Sequence, residues 1–163
     1  SNVDFTGIDL IRGLSGNDII RGSQGVDELR GDNGNDQLFG NAGSDILRGG
    51  NNNDILDGGA GADQLYGDRG NDIFIFGNDS VSSGSSSGWT DHVDGGRDTD
   101  TLRLDRVNDG PGQGNWTLVV EGNEVTLDTD SPHQIDLGGS SSGTITFGNG
   151  DQIEFDNIER IEW

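Results

Sequence analysis

A large apolar residue returns every nine positions through the first half of the chain: Ile11, Ile20, Leu29, Leu38, Leu47, Leu56, Leu65 and Phe74. Each sits in an x-apolar-x triplet, which reads as a very short strand with one inward side chain. The stretch ahead of each triplet is polar and rich in Gly, Asn and Asp, and reads as a turn. A turn plus so short a strand does not stand alone, so the fixed period predicts stacking. Two repeats, 18 residues, make one coil with a turn on each side. The predicted fold class is therefore all-β: two parallel sheets closed over a thin ladder of these apolar residues.

The turns carry a second pattern. Glycine opens every full repeat (Gly13, Gly22, Gly31, Gly40, Gly49, Gly58, Gly67), and an aspartate follows five places later (Asp18, Asp27, Asp36, Asp45, Asp54, Asp63, Asp72). The fourth position is Gly except at Asn52, a residue that tolerates the left-handed region. Glycine at positions one and four is read as permitting positive φ and close backbone approach. Residues 4–12 form a worn repeat that keeps Gly7, Asp9 and Ile11, as terminal repeats commonly do.

Composition sharpens this. Of 163 residues, 30 are Gly, only 28% are hydrophobic, and the formal net charge is -21, so the chain repels itself and buries little. Acidic excess argues against nucleic acid as a partner and for cations. There is no Cys, hence no disulfide or thiolate site, and no apolar run near the roughly 18 residues of a membrane span. The absence of Met places the start inside a longer chain or after processing.

Aspartates 18 residues apart stack at the strand spacing of about 4.8 Å, and such columns repel unless neutralised. A hard divalent cation between successive turns resolves this. Carboxylates with glycine-exposed carbonyls, and no His or Cys, suit Ca²⁺ over zinc or copper, with Mg²⁺ second.

These residues resemble the RTX, or hemolysin-type calcium-binding, nonapeptide repeats, of pattern G-G-x-G-x-D-x-apolar-x. Gly58-Gly59-Ala60-Gly61-Ala62-Asp63-Gln64-Leu65-Tyr66 matches in full, and Gly49 to Asp57 matches except at position four. The resemblance implies a parallel β-roll with one calcium between each pair of stacked turns. One turn would give the carbonyls of positions two and four and its aspartate; the next would give those of positions one and three and its aspartate.

Carried onto this chain, the first site on one side would take Leu14, Gly16 and Asp18 with Gly31, Asn33 and Asp36. Asp32, Gly34 and Asp36 would follow with Gly49, Asn51 and Asp54, then Gly50, Asn52 and Asp54 with Gly67, Arg69 and Asp72. The other side would use Ser23, Gly25 and Asp27 with Gly40, Ala42 and Asp45, then Asn41, Gly43 and Asp45 with Gly58, Ala60 and Asp63. Gly59 and Gly61 occupy the corresponding places of the turn after that. A weaker first site would combine Phe5, Gly7 and Asp9 with Gly22, Gln24 and Asp27.

A Ser/Gly-rich insert at 77–90 interrupts the roll of 1–76. The frame then resumes with Gly95, Asp100 and Leu102, and implies a further site from Asp68, Gly70 and Asp72 with Gly95, Arg97 and Asp100. Roughly six to eight ions are expected, counting turn pairs. The rest of 91–163 reads as antiparallel β: one hairpin around Glu121–Glu124, another around Gly148–Gly150. The stretch Phe155 to Ile161 resembles the F-x-N-I-E-x-I strand seen near the ends of RTX regions.

Outward positions carry Arg12, Arg30, Arg48 and Tyr66 at 18-residue spacing, a possible glycan face whose guanidinium groups would fork to anionic polysaccharide. The plainer reading is a solvated face with Glu28 screening Arg30. On the other sheet Ile19, Phe39, Ile55, Ile73 and Ile75 face out, and the C-terminal half is expected to cover part of that face. Enzyme signatures are missing. The expected function is a calcium-binding module that folds on calcium after secretion and stabilises a larger extracellular polypeptide, with a carbohydrate-binding module as the alternative.

Overall fold

A computed structural model describes residues 9–77, 88–105, 116–125, 134–148 and 150–163. Every regular element among them is a strand: β1 (Asp9–Ser15), β2 (Ile19–Arg21), β3 (Asp27–Asn33), β4 (Gln37–Phe39), β5 (Ile46–Asn51), β6 (Ile55–Asp57), β7 (Gln64–Arg69), β8 (Ile73–Phe76), β9 (Thr90–Asp94), β10 (Thr101–Leu104), β11 (Trp116–Val120), β12 (Asn123–Val125), β13 (Gln134–Phe147) and β14 (Gln152–Glu162). The odd strands β1, β3, β5, β7 and β9 pair in parallel as one sheet, and β2, β4, β6, β8 and β10 as the other. This is the expected β-roll.

Register follows the repeat. Ile11, Leu29, Leu47, Leu65 and Val93 align rung by rung on one sheet. Ile20, Leu38, Leu56, Phe74 and Leu102 align on the other. From Leu29 to Phe74 the eighth-position side chains are wholly buried. Each contributes about 2 kcal/mol of transfer free energy, one residue per nine, so the core is continuous but thin.

The C-terminal strands depart from the expectation of a purely antiparallel region. Both hairpins form as expected, β11 with β12 and β13 with β14. The first turns through Glu121 (φ 49°) and Gly122 (φ 79°), the two positive-φ positions that fit strand twist. The other edge of β14, however, pairs in parallel: Gln152–Asp156 with β9, and Arg160–Glu162 with β10. A strand has two edges, and the hairpin uses only one. Its second edge makes β14 the last coil of the roll, with Phe155 beside Val93 and Ile161 beside Leu102. Phe76, Leu104, Leu118, Ile145, Phe147, Ile153 and Ile158 extend the core beneath the hairpins.

Among the described residues, β11, β12 and β13 bond to one another and to β14, not along β2–β8. Ile55, Ile73 and Ile75 are instead half-buried among their own ladder neighbours, the Arg21 guanidinium lies 4.2 Å from the Phe39 ring centre, and Ile19 stays exposed.

Candidate metal centre

The turns form two columns at the rims of the roll. Column A contains turns 13–18, 31–36, 49–54, 67–72 and 95–100; column B contains 22–27, 40–45 and 58–63. One rule links successive turns. The amide of each aspartate donates to Oδ1 of the aspartate in the next turn. In column A these bonds are Asp18 to Asp36 at 2.8 Å, Asp36 to Asp54 and Asp54 to Asp72 at 2.7 Å, and Asp72 to Asp100 at 2.8 Å. In column B they are Asp27 to Asp45 at 2.7 Å and Asp45 to Asp63 at 2.8 Å.

The second carboxylate oxygen is left over. Oδ2 of Asp18, Asp36, Asp45, Asp54, Asp72 and Asp100 is buried with no hydrogen-bond partner. A buried unpaired carboxylate oxygen is costly, and a row of them demands a cation or protons. Burial, with lesser repulsion from neighbouring carboxylates, pushes Asp45, Asp54 and Asp100 up to about 7 and Asp72 to about 8. Asp63 rises to about 6, and Asp36 rises for the same reason.

The position-one glycines explain where these oxygens point. A Cβ on Gly13 would stand 2.6 Å from Asp18 Oδ2 and 2.9 Å from the Gly31 carbonyl oxygen. On Gly22 it would stand 2.7 Å from Asp27 Oδ2 and 2.6 Å from the Gly40 carbonyl oxygen. The absent side chain makes room for an aspartate oxygen and the carbonyl of the next turn's first residue to converge. That is the pairing expected from the calcium sets.

Of the two positions expected to be left-handed, four is and one is not. No position-one glycine has positive φ. Position four does (Gly16, Gly34, Gly43, Gly61, Gly70 and Asn52), and so does position two, through Leu14, Asp32, Asn41 and Asp68 at φ 71–77° and through Gly50 and Gly59. Glycine at position one is thus required by close approach, and position two bears the backbone strain.

Several further members of the expected sets are hydrogen-bonded across turns. The Gly16 amide donates to the Asn33 carbonyl at 2.9 Å, Gly34 to Asn51 at 3.1 Å, and Gly43 to Ala60 at 2.9 Å. Gly70 donates to Arg97 at 3.4 Å, and Arg97 to Asp68 at 3.1 Å. Asn33 Nδ2 reaches the Leu14 carbonyl at 3.3 Å. A carbonyl has two lone pairs, so these bonds leave capacity for a cation. Among the described residues no three carboxylates or imidazoles cluster, so any cation here draws most of its oxygens from the backbone. Hard oxygens, a glycine-made opening and an unpaired carboxylate oxygen in every turn but 58–63 fit Ca²⁺.

Turn 22–27 is irregular. Neither Ser23 nor Gly25 has positive φ, and the Ser23 amide and hydroxyl occupy Asp27 Oδ2 at 2.6 and 3.0 Å. Here Oδ1 is the buried orphan. Phe5 and Gly7 lie outside the described residues; β1 begins at Asp9, opposite Asp27.

Two column members escape the sequence pattern. The Asp63 amide donates to Asp91 Oδ1 at 2.8 Å, so Asp91 continues column B, and burial raises it to about 8. Asp91 and Val93 precede Asp100 and Leu102 by nine residues, a usable signal hidden because the repeat keeps no glycine at positions one and four. The Asp100 amide donates to Glu159 Oε2 at 2.7 Å, so Glu159 ends column A. Position five adds a further feature. The amides of Asn35, Asn53, Asn71 and Thr99 donate to Oδ1 of Asn17, Asn35, Asn53 and Asn71 at 2.9–3.2 Å, an asparagine ladder down column A.

On the outer face Arg12, Arg30, Arg48 and Tyr66 stack in register as expected. Arg12 pairs with Asp32 at 2.8 Å, Arg30 with Glu28, and Arg48 lies 4.1 Å from the Tyr66 ring centre. A cleft of about 430 Å³ opens beside them, lined by Arg30, Arg48, Arg69 and Arg97 with Asp32 and Asp68 among others.

Residues 5–38 and 39–74 match the model of the RTX calcium-binding nonapeptide repeat (4 copies). Among solved structures the chain is similar to the solution structure of the AlgE6R3 subunit from the Azotobacter vinelandii mannuronan C5-epimerase. Identity is 22% over 94% of this chain and 74% of that one, with a TM-score of 0.32. No curated protein matches. The period and the paired turns agree with that family model, whose calcium-binding nonapeptide repeat matches residues 5–38 and 39–74 of this chain.

Proposed function

We propose that this chain is a folding module switched by calcium, which stays unfolded in a low-calcium cytosol and closes into the roll outside the cell. The observation that carries this reading is the row of buried Asp Oδ2 atoms without partners. The metal-free folded state must bury that charge or protonate it, whereas the unfolded chain leaves it hydrated. Calcium, when bound, supplies the positive charge between turns. The chain's own residues bring two aspartates and the carbonyls of positions one to four to each turn pair, in the sets set out above. Roughly six to eight ions follow from counting turn pairs. A ligand at ~100 times its Kd adds about 2.7 kcal/mol per site to the folded state, so several sites outweigh a one-residue-per-repeat core.

Secretion, by a type I system, and service to a larger extracellular polypeptide complete the proposal. Its support is the repeat itself and an acidic composition that resists collapse without a cation. Among the described residues no helix is long and apolar enough to cross a membrane. The test is far-UV circular dichroism with calcium and with EGTA. Calcium should bring up the β signal and EGTA should abolish it; a β signal indifferent to EGTA at pH 7.5 refutes coupled folding.

A second reading has one observation in its favour. The arginine-lined cleft sits on an otherwise acidic module, and the Arg48 guanidinium beside it lies over the Tyr66 ring. It proposes that the calcium-built roll holds an anionic polysaccharide. Arg12 and Arg30 already pair with Asp32 and Glu28, which weakens their part in it. Binding of a uronate polymer that persists after alanine replacement of Arg12, Arg30 and Arg48 removes this reading.

A further inference from the structure

We infer that the end of column A is a calcium site built by residues outside the repeats: Asp100, the Asn157 carbonyl and Glu159. The inference rests on the calcium reading of the repeats and extends it to a strand that carries no repeat. Three observations make the last turn a copy of the turn pairs before it. The Asp100 amide donates to Glu159 Oε2 at 2.7 Å, as each earlier aspartate amide donates to the next aspartate. A Cβ on Gly95 would meet both the Asn157 carbonyl oxygen and Asp100 Oδ2, the latter at 2.7 Å. Gly13 shows the same convergence, of Gly31 and Asp18. Asp100 is wholly buried, and its Oδ2 has no partner.

The replacements preserve the chemistry with different residues. Glu159 stands opposite Asp100 because Arg160 pairs with Thr101 in the parallel register of β14 and β10. A glutamate's extra methylene lets a carboxylate reach inward from a strand that lacks the usual turn. Asn157 (φ 54°) bends β14 so that its carbonyl faces Gly95, and its side chain is held by Asp94 Oδ1 at 2.8 Å. The Gly95 amide donates to the Asp156 carbonyl at 3.0 Å, fixing this bend against the turn. The bound species is a hard divalent cation, with the carbonyls of Gly96 and Asp98 completing its oxygens by analogy with positions two and four. The consequence is that the same ion that closes the last turn also fastens β14, and with it the hairpins β11–β13, to the roll.

The test counts ions. Glu159→Gln keeps an oxygen to accept the Asp100 amide but removes the charge. Isothermal titration calorimetry of the folded chain should give one calcium fewer for E159Q than for the unchanged protein. Hydrogen exchange at Glu159 and Arg160, whose amides bond to the Asp100 carbonyl at 3.2 and 3.1 Å, should accelerate. An equal ion count in the two proteins overturns the inference, whereas an unchanged protein that binds no calcium overturns the parent reading instead. Should E159Q not fold, crystals of the unchanged chain grown in calcium decide the matter by long-wavelength anomalous scattering. A peak between Asp100 and Glu159 supports the site, and its absence beside peaks in the repeat turns refutes it.

Discussion

The two columns of turns share one period and one aspartate rule, yet they are not equally furnished. In column A each turn is tied to the next by two protein-made rungs: the aspartate bond and an asparagine bond from position five. In column B position five holds Val26, Ser44 and Ala62, and the asparagine rung is missing. Column A also keeps regular turns, whereas column B starts with the irregular Ser23 turn. The backbone path alone therefore does not specify how firmly a turn is held. Column A is partly buttressed by its own side chains, and column B leans more on the cation.

The broadest break to this comparison is pH, because it titrates both columns together. Burial raises Asp54 and Asp45 to about 7 and Asp72 to about 8, against about 3.9 for an unfolded aspartate. Between those values the metal-free folded chain holds protons that the unfolded chain has lost. Its stability is therefore greatest below about pH 4 and falls as pH rises towards 8. In EGTA, circular dichroism should show more β structure at pH 5 than at pH 8. A metal-free fold that strengthens with pH contradicts the buried-oxygen account for both columns.

Next in size are the interior aspartates. Asp54→Asn and Asp45→Asn each retain an oxygen for the neighbouring amide but discharge two turn pairs. Each should lose two calcium ions by calorimetry, about 5 kcal/mol at ~100 times Kd, while the end residue variant Asp18→Asn loses one. Thermal melts at fixed calcium should place D45N below D54N, since column B has no second rung. Equal melting points erase the contrast between columns. The rung itself can be moved: Ser44→Asn in column B offers the Ala62 amide an acceptor and should raise stability by about 1 kcal/mol. Asn53→Ala, which strands the Asn71 amide, should lower it by a similar amount. The smallest effect is expected at Leu14, exposed and held at φ 77°. Leu14→Asn should stabilise column A by about 1 kcal/mol in chemical denaturation, because asparagine adopts that conformation more easily.

Period and chemistry made the roll legible. An apolar residue every nine positions sets the core ladder, and the aspartate two places before it sets the rim. The structure places Leu29 to Phe74 and Asp18 to Asp72 accordingly. What was not legible has definite causes. Glycine at position one marks a collision avoided, not a left-handed turn, and a letter does not distinguish the two. Asp91 was hidden because its repeat keeps neither defining glycine. The parallel edge of β14 was hidden because Gly148–Gly150 announces only the local hairpin. Nothing local says that the opposite edge meets β9 and β10, some 60 residues earlier. The asparagine ladder was written in the sequence at 18-residue spacing, but asparagine in a turn is ordinarily read for its backbone preference, not for its side-chain oxygen.

β14 also gives the molecule a polarity. It lies between β9 and β10 and occupies the hydrogen-bonding edges of both sheets at one end of the stack, while among the described residues β1 and β2 stand at the other. A solenoid open at both ends is a template for end-to-end filaments, because each added copy exposes a fresh edge. Among the described residues the closing strand thus covers the two sheet edges that a further coil would use at that end of the roll.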